Sequence, residues 1–359
     1  MKDYVLYRNL LKEVEAGNVS ASTTRDLTIF KYSQDCHIEG RWNSVNRQAR
    51  GLIMRTDGTV VARPFAKFFN LGELPESSLE NLPWHEEVEI YEKVDGSCGI
   101  GYIPGEGYEC TCCDNPMWKL ATPGSMESDQ AQRGTSILHE KYGAALSHLP
   151  KQCTPVFEII YPANRIVVDY KGETFLSLLA VFELSGEEWH PARVDQIAAK
   201  CGFRRPRRYN IDLRTEIPFE ENAEGYVARF ASGLRVKVKS PAYLRVHRLL
   251  NHMSPKGVID LIRGHEYRAT LDQLPKSIAE QFDDIRAYVQ QMHDRLRVEA
   301  ENIASRIPSG DRKTQALWIQ ANTPNALVGV VFALLDKKSV SDKLWKMVLE
   351  KVKDEKSRE

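Results

Sequence analysis

The sequence of 359 residues lacks the features that mark a membrane-spanning, secreted or repetitive protein. No apolar run approaches the roughly 18 residues that a bilayer-spanning helix needs. The first residues, MKDYVLYRNLLKEVEAG, contain no apolar signal-peptide segment, and the chain has neither an internal repeat nor a low-complexity segment. We therefore expect a protein of the cytoplasm, or of the nucleus, that has no membrane partner.

Net charge is also lacking, because 49 Lys and Arg residues balance 49 Asp and Glu residues. No overall field draws such a chain onto nucleic acid, so any site for a polyanion must be local. The seven cysteines are an odd number. Cys110, Cys112 and Cys113 lie close together, but no second cluster of ligands and no suitably spaced histidine accompanies them. We expect reduced thiols here rather than a zinc site.

Up to about residue 245 the chain consists mainly of short strand-like runs, among them GLIMRT, EVEIYEKV, CGIGYI, PVFEIIY, RIVVDY and GLRVKVKS. Several runs are separated by turn pairs, which predict hairpins in antiparallel sheet: Asp57-Gly58, Asp95-Gly96, Lys171-Gly172 and Ser232-Gly233. Helical patterns interrupt the strands near residues 4–16, 128–149 and 191–201. This mixture predicts an α+β fold.

The pattern changes after Ser240, where apolar residues recur at three- and four-residue steps. One face of a long amphipathic helix accounts for Ile278, Phe282, Ile285, Val289, Met292, Leu296 and Ile303. Further helices are predicted at residues 313–321, 325–335 and 341–353, and no strand pattern occurs in the last hundred residues. We therefore expect a first domain of residues 1–243 and an all-α second domain of residues 244–359.

Charged residues recur inside the strand-like segments of the first region. Lys93 precedes a turn pair in YEKVDGSCGIGY, Glu158 lies in the apolar run PVFEIIY, and Glu224 opens EGYVARF. In GLRVKVKS, the two-residue period of a strand places Lys237 and Lys239 on one face. Each feature alone has a plain structural explanation, since a paired-lysine face is usually a solvated edge. It is their combination and order that indicate a site.

The ordered segments RGLIMRTDG, RPFAKFFNLGE, EKVDGS, FEIIYPANRIV, EGYVARF and KVKS resemble those of the covalent nucleotidyltransferases, the superfamily of ATP-dependent ligases and mRNA-capping enzymes. Within this superfamily they are most similar to the phage-type RNA ligase 1 family, over residues 28 to 240. The resemblance implies an antiparallel-sheet nucleotidyltransferase domain and a ligase that joins 5′-phosphate and 3′-hydroxyl RNA ends in RNA or tRNA repair. Family precedent makes the helical domain an element for selecting RNA substrates.

The same resemblance implies three steps: Lys93 attacks the α-phosphate of ATP to form lysyl-AMP, AMP passes to an RNA 5′-phosphate, and a 3′-hydroxyl displaces AMP. An ordinary lysine amine has a pKa of about 10.4 and is protonated at neutral pH. One cation about 6 Å away, at an effective dielectric constant of ~20, lowers that pKa by about two units. We therefore expect Lys237, Lys239 and Arg50 to lower the pKa of Lys93.

Roles for the charged residues follow from the resemblance. Lys237 and Lys239 would contact the α-phosphate and stabilise charge in the transition state. Glu224 would hold a divalent metal, Mg²⁺ or Mn²⁺, which masks phosphate charge, and Glu158 is the second expected metal ligand. Glu158 would also contact the ribose hydroxyls.

The resemblance also implies a set of nucleotide-binding residues. Arg50 and Lys67 would bind the β- and γ-phosphates, and Leu178 and Val227 would form the apolar walls around adenine. Glu92, directly before the nucleophile, is assigned to the same set. One departure concerns TPGSMESDQA, which looks like the family's Gly-Ser loop, because a proline at position 123 replaces the usual basic residue. The corresponding phosphate contact is then either missing or supplied by Lys119.

The expected partners are RNA ends, either single-stranded or in a broken loop, bound by a monomer. GFRRPRRYN offers four arginines beside Tyr209, which suits either a single-stranded RNA contact or a solvated loop. Two alternative functions stay open. A DNA ligase or capping enzyme normally carries an OB-fold of about five strands after Lys-x-Lys, and a non-catalytic sensor of RNA ends or nucleotides would not need Lys93.

Overall fold

The computed structural model describes residues 1–105, 118–215, 217–250, 252–272, 274 and 276–356. The chain divides into two compact units, Met1–Leu244 and Arg245–Glu359. The cysteines at 110, 112 and 113 lie outside the described residues. Among the residues described, no helix has the length and apolar character that crossing a membrane requires.

Three sheets form the framework of the first unit. Their strands are β1 (Val19–Thr24), β2 (Leu27–Tyr32), β3 (Arg50–Arg55), β4 (Val60–Ala62), β5 (Phe69–Asn70), β6 (Val88–Glu92), β7 (Ser97–Tyr102), β8 (Lys119–Ala121), β9 (Cys153–Ile160), β10 (Phe175–Glu183), β11 (Arg208–Tyr209), β12 (Gly225–Phe230) and β13 (Arg235–Lys239). The strand orders are β1-β2-β3-β4, β10-β9-β7-β8 and β11-β6-β12-β13-β5. Neighbouring strands are antiparallel except for β13 and β5, so the predicted α+β class is confirmed.

Four helices accompany these sheets: α1 (Tyr4–Glu15), α2 (Gln34–Ile38), α3 (Asp129–Tyr142) and α4 (Pro191–Cys201). The Ser128 hydroxyl caps α3 by accepting a hydrogen bond from the N–H of Ala131. The predicted helix at 128–149 is shorter than expected, because a 3₁₀ segment, Gly143–His148, follows α3. Glycine favours such a break, since it is a weak helix former.

Two of the four predicted turn pairs close hairpins. Asp57-Gly58 joins β3 to β4, and Ser232-Gly233 joins β12 to β13. Asp95-Gly96 instead passes the chain from β6 in one sheet to β7 in another, so the predicted hairpin is wrong there. Lys171-Gly172 lies in the connection between β9 and β10, which pair with each other, but this connection is too long to be a tight hairpin turn.

The run RIVVDY, residues 165–170, is also not a strand. The buried carboxylate of Asp95 accepts the N–H groups of Val167 and Val168, both over 2.9 Å. Because backbone donors must be satisfied when buried, this carboxylate takes the place of a neighbouring strand. The apolar pattern of the run was therefore a sign of burial and not of sheet pairing.

Two of the sheets face each other across a cleft. On the outer side of one sheet, β6, β12 and β13 bury Ile90, Tyr226 and Val236 in a common core. On the outer side of the other, β9 and β10 bury apolar residues against α3 and α4. The remaining faces of both sheets contribute to one apolar cavity, which places the expected site between them.

The second unit has only helices among its described elements. They are α5 (Pro241–Leu250, which begins in the first unit), α6 (Pro255–Arg263), α7 (Tyr267–Leu271), α8 (Lys276–Ala304), α9 (Arg312–Asn322), α10 (Asn325–Leu335) and α11 (Ser341–Lys356). The predicted apolar stripe lies on α8, where Ile278, Phe282, Val289 and Leu296 are buried. They form a core with residues of α10 and α11, as the amphipathic period indicated.

Candidate active site

A β-bulge at Gly51 reorients the start of strand β3. The register pairs Phe30 with Leu52 and Lys31 with Arg50, so Gly51 is an extra residue. Its φ of 91° lies in the left-handed region, which favours glycine. Since a bulge shifts the alternation of side chains by one residue, Arg50 shares a face with Lys31 instead of with Leu52.

Arg50 consequently lies among other cationic side chains in the cleft. Its guanidinium lies 5.7 Å from the ring of Phe68, and Lys237 Nζ lies 4.6 Å from the same ring. Arg50 Nη1 is buried and finds no hydrogen-bond partner within the described part of the chain. A buried donor without a partner is costly, so this atom is poised to bind an anionic ligand.

Lys67 occupies an aromatic site close to Arg50. Its Nζ lies 5.0 to 5.4 Å from the ring centres of Phe69, Tyr32 and Trp42. Burial lowers the pKa of Lys67, and the nearby Arg50 lowers it further. Cation–π contacts hold the ammonium group in place without neutralising it. The two expected phosphate ligands therefore lie together.

The two lysines of strand β13 face the cleft. Val236 and Val238 are buried on the opposite face, so the predicted two-residue alternation is observed. Burial lowers the pKa of Lys237 to about 7, and the surrounding cations, Arg50 first among them, add to the shift. Within the described residues this ammonium group forms no ion pair with a carboxylate, so burial and the neighbouring cations both disfavour its charged form.

The backbone of Lys93 is held by strand β12. Its N–H donates to the carbonyl of Gly225 over 2.9 Å. Gly225 has a φ of 136°, and a Cβ built there would lie only 2.0 Å from the carbonyl oxygen of Val238. Glycine is therefore required where the two strands approach so closely. This approach sets Lys93 beside Glu224, the residue that precedes Gly225.

Glu224 binds two lysine ammonium groups at once. Its Oε2 lies 2.6 Å from Lys93 Nζ, and its Oε1 lies 2.9 Å from Lys239 Nζ. The Glu224 side chain is only 3% exposed, whereas the two lysines are 20% and 24% exposed. One sequestered carboxylate thus brings together three of the four predicted catalytic residues.

The protonation of Lys93 differs from the expectation. Burial lowers the pKa of its amine, but Glu224, Glu158 and Asp95 outweigh burial and hold that pKa above the ordinary value. A carboxylate in direct contact acts more strongly than cations at longer range. The prediction that neighbouring cations lower the pKa of Lys93 is therefore wrong for the protein without nucleotide.

Glu158 lies on β9, opposite Cys98 of β7. Its Oε1 accepts the N–H of Gly96 over 3.1 Å. Burial raises the pKa of Glu158 to about 7, and the Lys93 ammonium opposes the shift. At neutral pH this carboxyl group can therefore either donate or accept a hydrogen bond, which suits a hydroxyl ligand.

Asp95 is an anchor that the sequence interpretation treated only as half of a turn. It is 3% exposed, accepts the N–H groups of Val167 and Val168, and accepts the hydroxyl of Tyr243 over 2.9 Å. Its own N–H donates to the hydroxyl of Tyr170 over 2.8 Å. These bonds fix the segment after Lys93. The Lys-x-Asp-Gly spacing was the only local signal, because the partners are remote in sequence.

Strand β10 also has a bulge, next to the residue predicted for the apolar wall. The register pairs Leu178 with Phe157 and Ala180 with Val156, so Leu179 is the extra residue. Leu178 is fully buried in the core on the outer side of its sheet. The structure therefore does not place the predicted residue Leu178 at the cavity, and Leu179, on the opposite face of β10, lines it instead.

A largely apolar cavity has Leu179 and Val227 in its lining, together with Tyr91 and Glu92, the two residues directly before Lys93. The other lining residues are Phe65, Phe68, Glu188, Pro191, Val194, Arg205, Pro206, Arg229 and Arg235. Val227 is the cross-strand partner of Lys237, so the cavity adjoins the cationic cluster. Flat apolar walls next to cations suit a nucleobase attached to phosphates.

The predicted residue Glu92 borders this cavity, but its side chain also accepts the backbone N–H of Arg207 over 3.3 Å. The arginines around it are paired with carboxylates: Arg204 with Glu173 at 2.7 Å, Arg205 with Asp195 at 2.8 Å, Arg207 with Glu220 at 2.8 Å, and Arg208 with Asp195 at 2.7 Å. An open phosphate-binding surface needs unpaired positive charge. The structure therefore favours a structural role for this cluster over an RNA contact.

A preformed metal cage is not built among the described residues, since they include no group of three or more His, Cys, Asp or Glu side chains that could hold an ion. The two expected ligands are already engaged, Glu224 by lysines and Glu158 by the N–H of Gly96. Mg²⁺ is commonly bound by one or two carboxylates together with substrate phosphates. The donor set fits a metal ion that binds with a nucleotide.

Comparisons with known proteins show which family this sequence matches. The chain matches the RNA ligase family over residues 48–243. A Thermovibrio ammonificans protein is 30% identical over 256 residues, which are 68% of this chain and 64% of that protein, so the chain spans less than two thirds of that relative's length. An RNA ligase of Rhodothermus phage RM378 is 26% identical over 308 residues, covering 66% of this chain and 67% of that protein.

Among solved structures, an archaeal ATP-dependent RNA ligase is similar to this chain with a TM-score of 0.45 and 14% identity. The similarity covers 87% of this chain and 85% of that one. The matched family segment, residues 48–243, contains every residue predicted for the site from Arg50 to Lys239.

Proposed function

Because the chain belongs to the phage-type RNA ligase 1 family, we propose that it is an ATP-dependent RNA ligase that joins a 5′-phosphate end to a 3′-hydroxyl end. The observation that carries this proposal is the placement of the Lys93 amine, 2.6 Å from the buried Glu224 and near the cations around Lys237, directly after two residues that line a largely apolar cavity. Such a site can hold a nucleotide base, its phosphates and a nucleophile together.

In the first step the Lys93 amine attacks the α-phosphorus of ATP. An N–P bond forms, the bond from that phosphorus to the bridging oxygen of the β-phosphate breaks, pyrophosphate leaves, and the amine loses its protons to solvent. The amine must first lose its stabilising contact with Glu224, because that contact keeps it protonated. A divalent ion bound with the nucleotide would supply charge neutralisation on the phosphates and compete for the Glu224 carboxylate.

In the second step an RNA 5′-phosphate oxygen attacks the same phosphorus, and Lys93 leaves as the free amine. In the third, a 3′-hydroxyl attacks the 5′-phosphate, a phosphodiester forms, and AMP leaves. Lys237 and Lys239 stabilise the negative charge that develops on the α-phosphate, and Glu158 binds the ribose hydroxyls. We propose that the RNA ends are single-stranded or lie in a broken loop, that the reaction serves RNA repair, and that the protein acts as a cytoplasmic monomer.

Of the two alternatives, neither has a specific observation in its favour. The OB-fold expected of a DNA ligase or capping enzyme requires several strands, whereas residues 252–272 and 276–356 form helices where they form regular elements. Lys93, which a sensor would not need as a nucleophile, is present and is held by its ion pair with Glu224.

The function is tested with α-labelled ATP and magnesium, followed by denaturing electrophoresis and addition of RNA or DNA ends. We expect label on the protein, which then moves to 5′-phosphorylated RNA and is released as AMP on sealing. Parallel single-stranded and nicked substrates show which ends are used. A protein that never becomes labelled would overturn the ligase proposal and favour a sensor.

The titration of Lys237 predicts proton uptake on ATP binding. With a pKa of about 7, this amine is mostly neutral at pH 8, and the phosphates would raise its pKa by favouring the charged form. We expect uptake of up to about one proton at pH 8, and an affinity for ATP that weakens as the pH rises above about 7. Calorimetry in two buffers of different ionisation heat measures the uptake.

Lys237→Arg is the matched control, because its guanidinium stays charged at every pH used. The uptake that Lys237 contributes should vanish in this variant. Glu158, whose pKa is also about 7, is the same in both proteins, so any uptake that remains in the variant is assigned to it. Equal heats in both buffers for the unmodified protein would contradict the assignment.

Because Leu179 and not Leu178 lines the cavity, substitutions of these two adjacent leucines should have different effects. Leu179→Ala should raise the KM for ATP by about tenfold with little loss of stability, because this side chain lines the cavity. Leu178→Ala should instead lower the free energy of unfolding by about 2–5 kcal/mol, the usual cost of truncating a fully buried leucine. Adenylation kinetics and denaturant unfolding of both variants separate the two roles, and the reverse result would restore Leu178 as the wall.

A further inference from the structure

Lys31, which was not predicted as a site residue, lies on the same face of the sheet β1-β2-β3-β4 as Arg50. On strand β2, Leu27 and Ile29 contribute to a core shared with strands β7 and β8, whereas Phe30 contributes to the core on the opposite face. Lys31 is the next residue on the Leu27 and Ile29 side, since strand side chains alternate. Its side chain is exposed where this apolar row ends.

The bulge at Gly51 then places a second cation beside it. Lys31 and Arg50 are cross-strand partners, and directly opposite residues of an antiparallel pair share a face. Without the bulge, Arg50 would lie on the other face with Leu52. Two like charges opposite each other destabilise a sheet by themselves, so a bound anion is the natural counterpart of this pair.

The Lys31 side chain lies over the loop that departs from the family pattern. A Cβ built on Gly124 would lie 3.1 Å from Lys31 Cδ and 3.2 Å from Lys31 Nζ, and its three nearest atoms all belong to Lys31. Pro123 Cα would lie 3.0 Å from a Cβ built on Gly51. The loop is therefore packed against both the bulge and Lys31.

No ion pair of Lys31 with a carboxylate is formed within the described ranges of the chain, which sets it apart from the neutralised arginines near residue 205. We propose that Lys31 binds the β- and γ-phosphates of ATP, and pyrophosphate as it leaves, in the position where the loop residue Pro123 has no charge to offer. This inference rests on the proposed function.

Lys31 fits this role better than Lys119, the other lysine near the loop. Lys119 lies on β8 as the partner of Tyr102, before the loop begins. The atoms that crowd Gly124 are those of Lys31. The amine of Lys31 is therefore at the loop and on the face of Arg50, whose Nη1 also awaits an acceptor.

The chemistry makes this role specific to one step. When Lys93 forms its bond to the α-phosphorus, the bond to the bridging oxygen breaks and that oxygen gains negative charge on the departing pyrophosphate. A cation there stabilises the transition state more than the ground state. Sealing RNA that already carries AMP on its 5′ end involves no pyrophosphate, so it should not depend on Lys31.

The test compares both steps in Lys31→Ala. We expect kcat/KM for ATP in lysyl-AMP formation to fall about tenfold or more, the usual effect of losing a charged hydrogen bond. The rate of sealing pre-adenylated RNA should equal that of the unmodified protein. Lys31→Arg should retain most of the activity, and Lys12→Ala, which alters an exposed lysine of α1, should have no effect.

A second variant tests whether Lys31 acts at the loop. Gly124→Ala places a methyl group against the Lys31 amine, so it should impair lysyl-AMP formation, but it should add nothing in the Lys31→Ala background. Additive losses would overturn the inference, as would an unchanged ATP dependence or equal loss of both steps in Lys31→Ala. An unmodified protein that forms no lysyl-AMP would instead refute the proposed function.

Discussion

Lys93→Ala is expected to abolish labelling of the protein by α-labelled ATP, a loss of at least about 10³-fold. The physical reason is that the amine of Lys93 is the proposed nucleophile and its backbone is fixed by the carbonyl of Gly225, so alanine leaves no group there that can bond to the α-phosphorus. Lys237 lies nearby, but its place is on the strand face, where its charge serves the phosphates. The measurement is the radioactivity that stays on the protein through denaturing electrophoresis at neutral or alkaline pH, because the P–N bond of a phosphoramidate is labile in acid.

This variant should still seal RNA that already carries a 5′-AMP, because the third step forms no bond to lysine. Its fold should survive, since Glu224 keeps Lys239 as a partner at 2.9 Å. Lys200→Ala, at an exposed position of α4, is the matched control and should label normally. Persistent labelling of Lys93→Ala would show that another residue is the nucleophile.

Much of this fold could be predicted because the relevant signals are local. Alternation of Val236 and Val238 with two lysines reports a strand with two different faces, and the period of Ile278 to Leu296 reports one face of α8. Both depend only on neighbouring residues. The order of charged motifs then indicated a family, and through it the site.

What could not be predicted depends on single-residue shifts in register. A bulge reverses the faces of all residues beyond it, so Arg50 points opposite to the direction that uninterrupted alternation gives, and Leu179 shares a face of β10 with Ala180. Gly51 offered a hint, because glycine in a strand often marks a bulge. Leu179 offered none, since its bulge is set by pairing with a distant strand.

The sequence also could not predict which charged side chains contact each other. Counting cations near Lys93 predicted a lowered pKa, yet contact with one carboxylate reversed the direction. The arginines at 204–208 suggested a free basic surface, yet each is paired with an acidic residue 10 to 31 positions away in sequence. Coulomb energy depends on distances of a few ångströms, and sequence spacing does not contain them.

The strongest structural consequence of this electrostatics is expected at Glu224. Glu224→Gln keeps the shape of the side chain but removes the carboxylate that contacts two largely buried ammonium groups, so Lys93 keeps only the more distant Glu158 and Asp95 as counter-charges. We expect the free energy of unfolding to fall by about 3–5 kcal/mol, the usual result of breaking a buried ion pair, and lysyl-AMP formation to fall at least about 100-fold. Denaturant unfolding and single-turnover labelling measure the two losses.

A pH profile separates the role of Glu224 in chemistry from its role in stability. Glu224 holds the pKa of Lys93 above its ordinary value, so its removal should lower that pKa. Residual labelling by Glu224→Gln should therefore reach its plateau at a lower pH than labelling by the unmodified protein, although its rate is lower throughout. Glu173→Gln, which breaks an exposed pair with Arg204, should change neither stability nor profile measurably. An unshifted profile in Glu224→Gln would mean that this carboxylate does not control the protonation of the nucleophile, and the ion pair would then be structural alone.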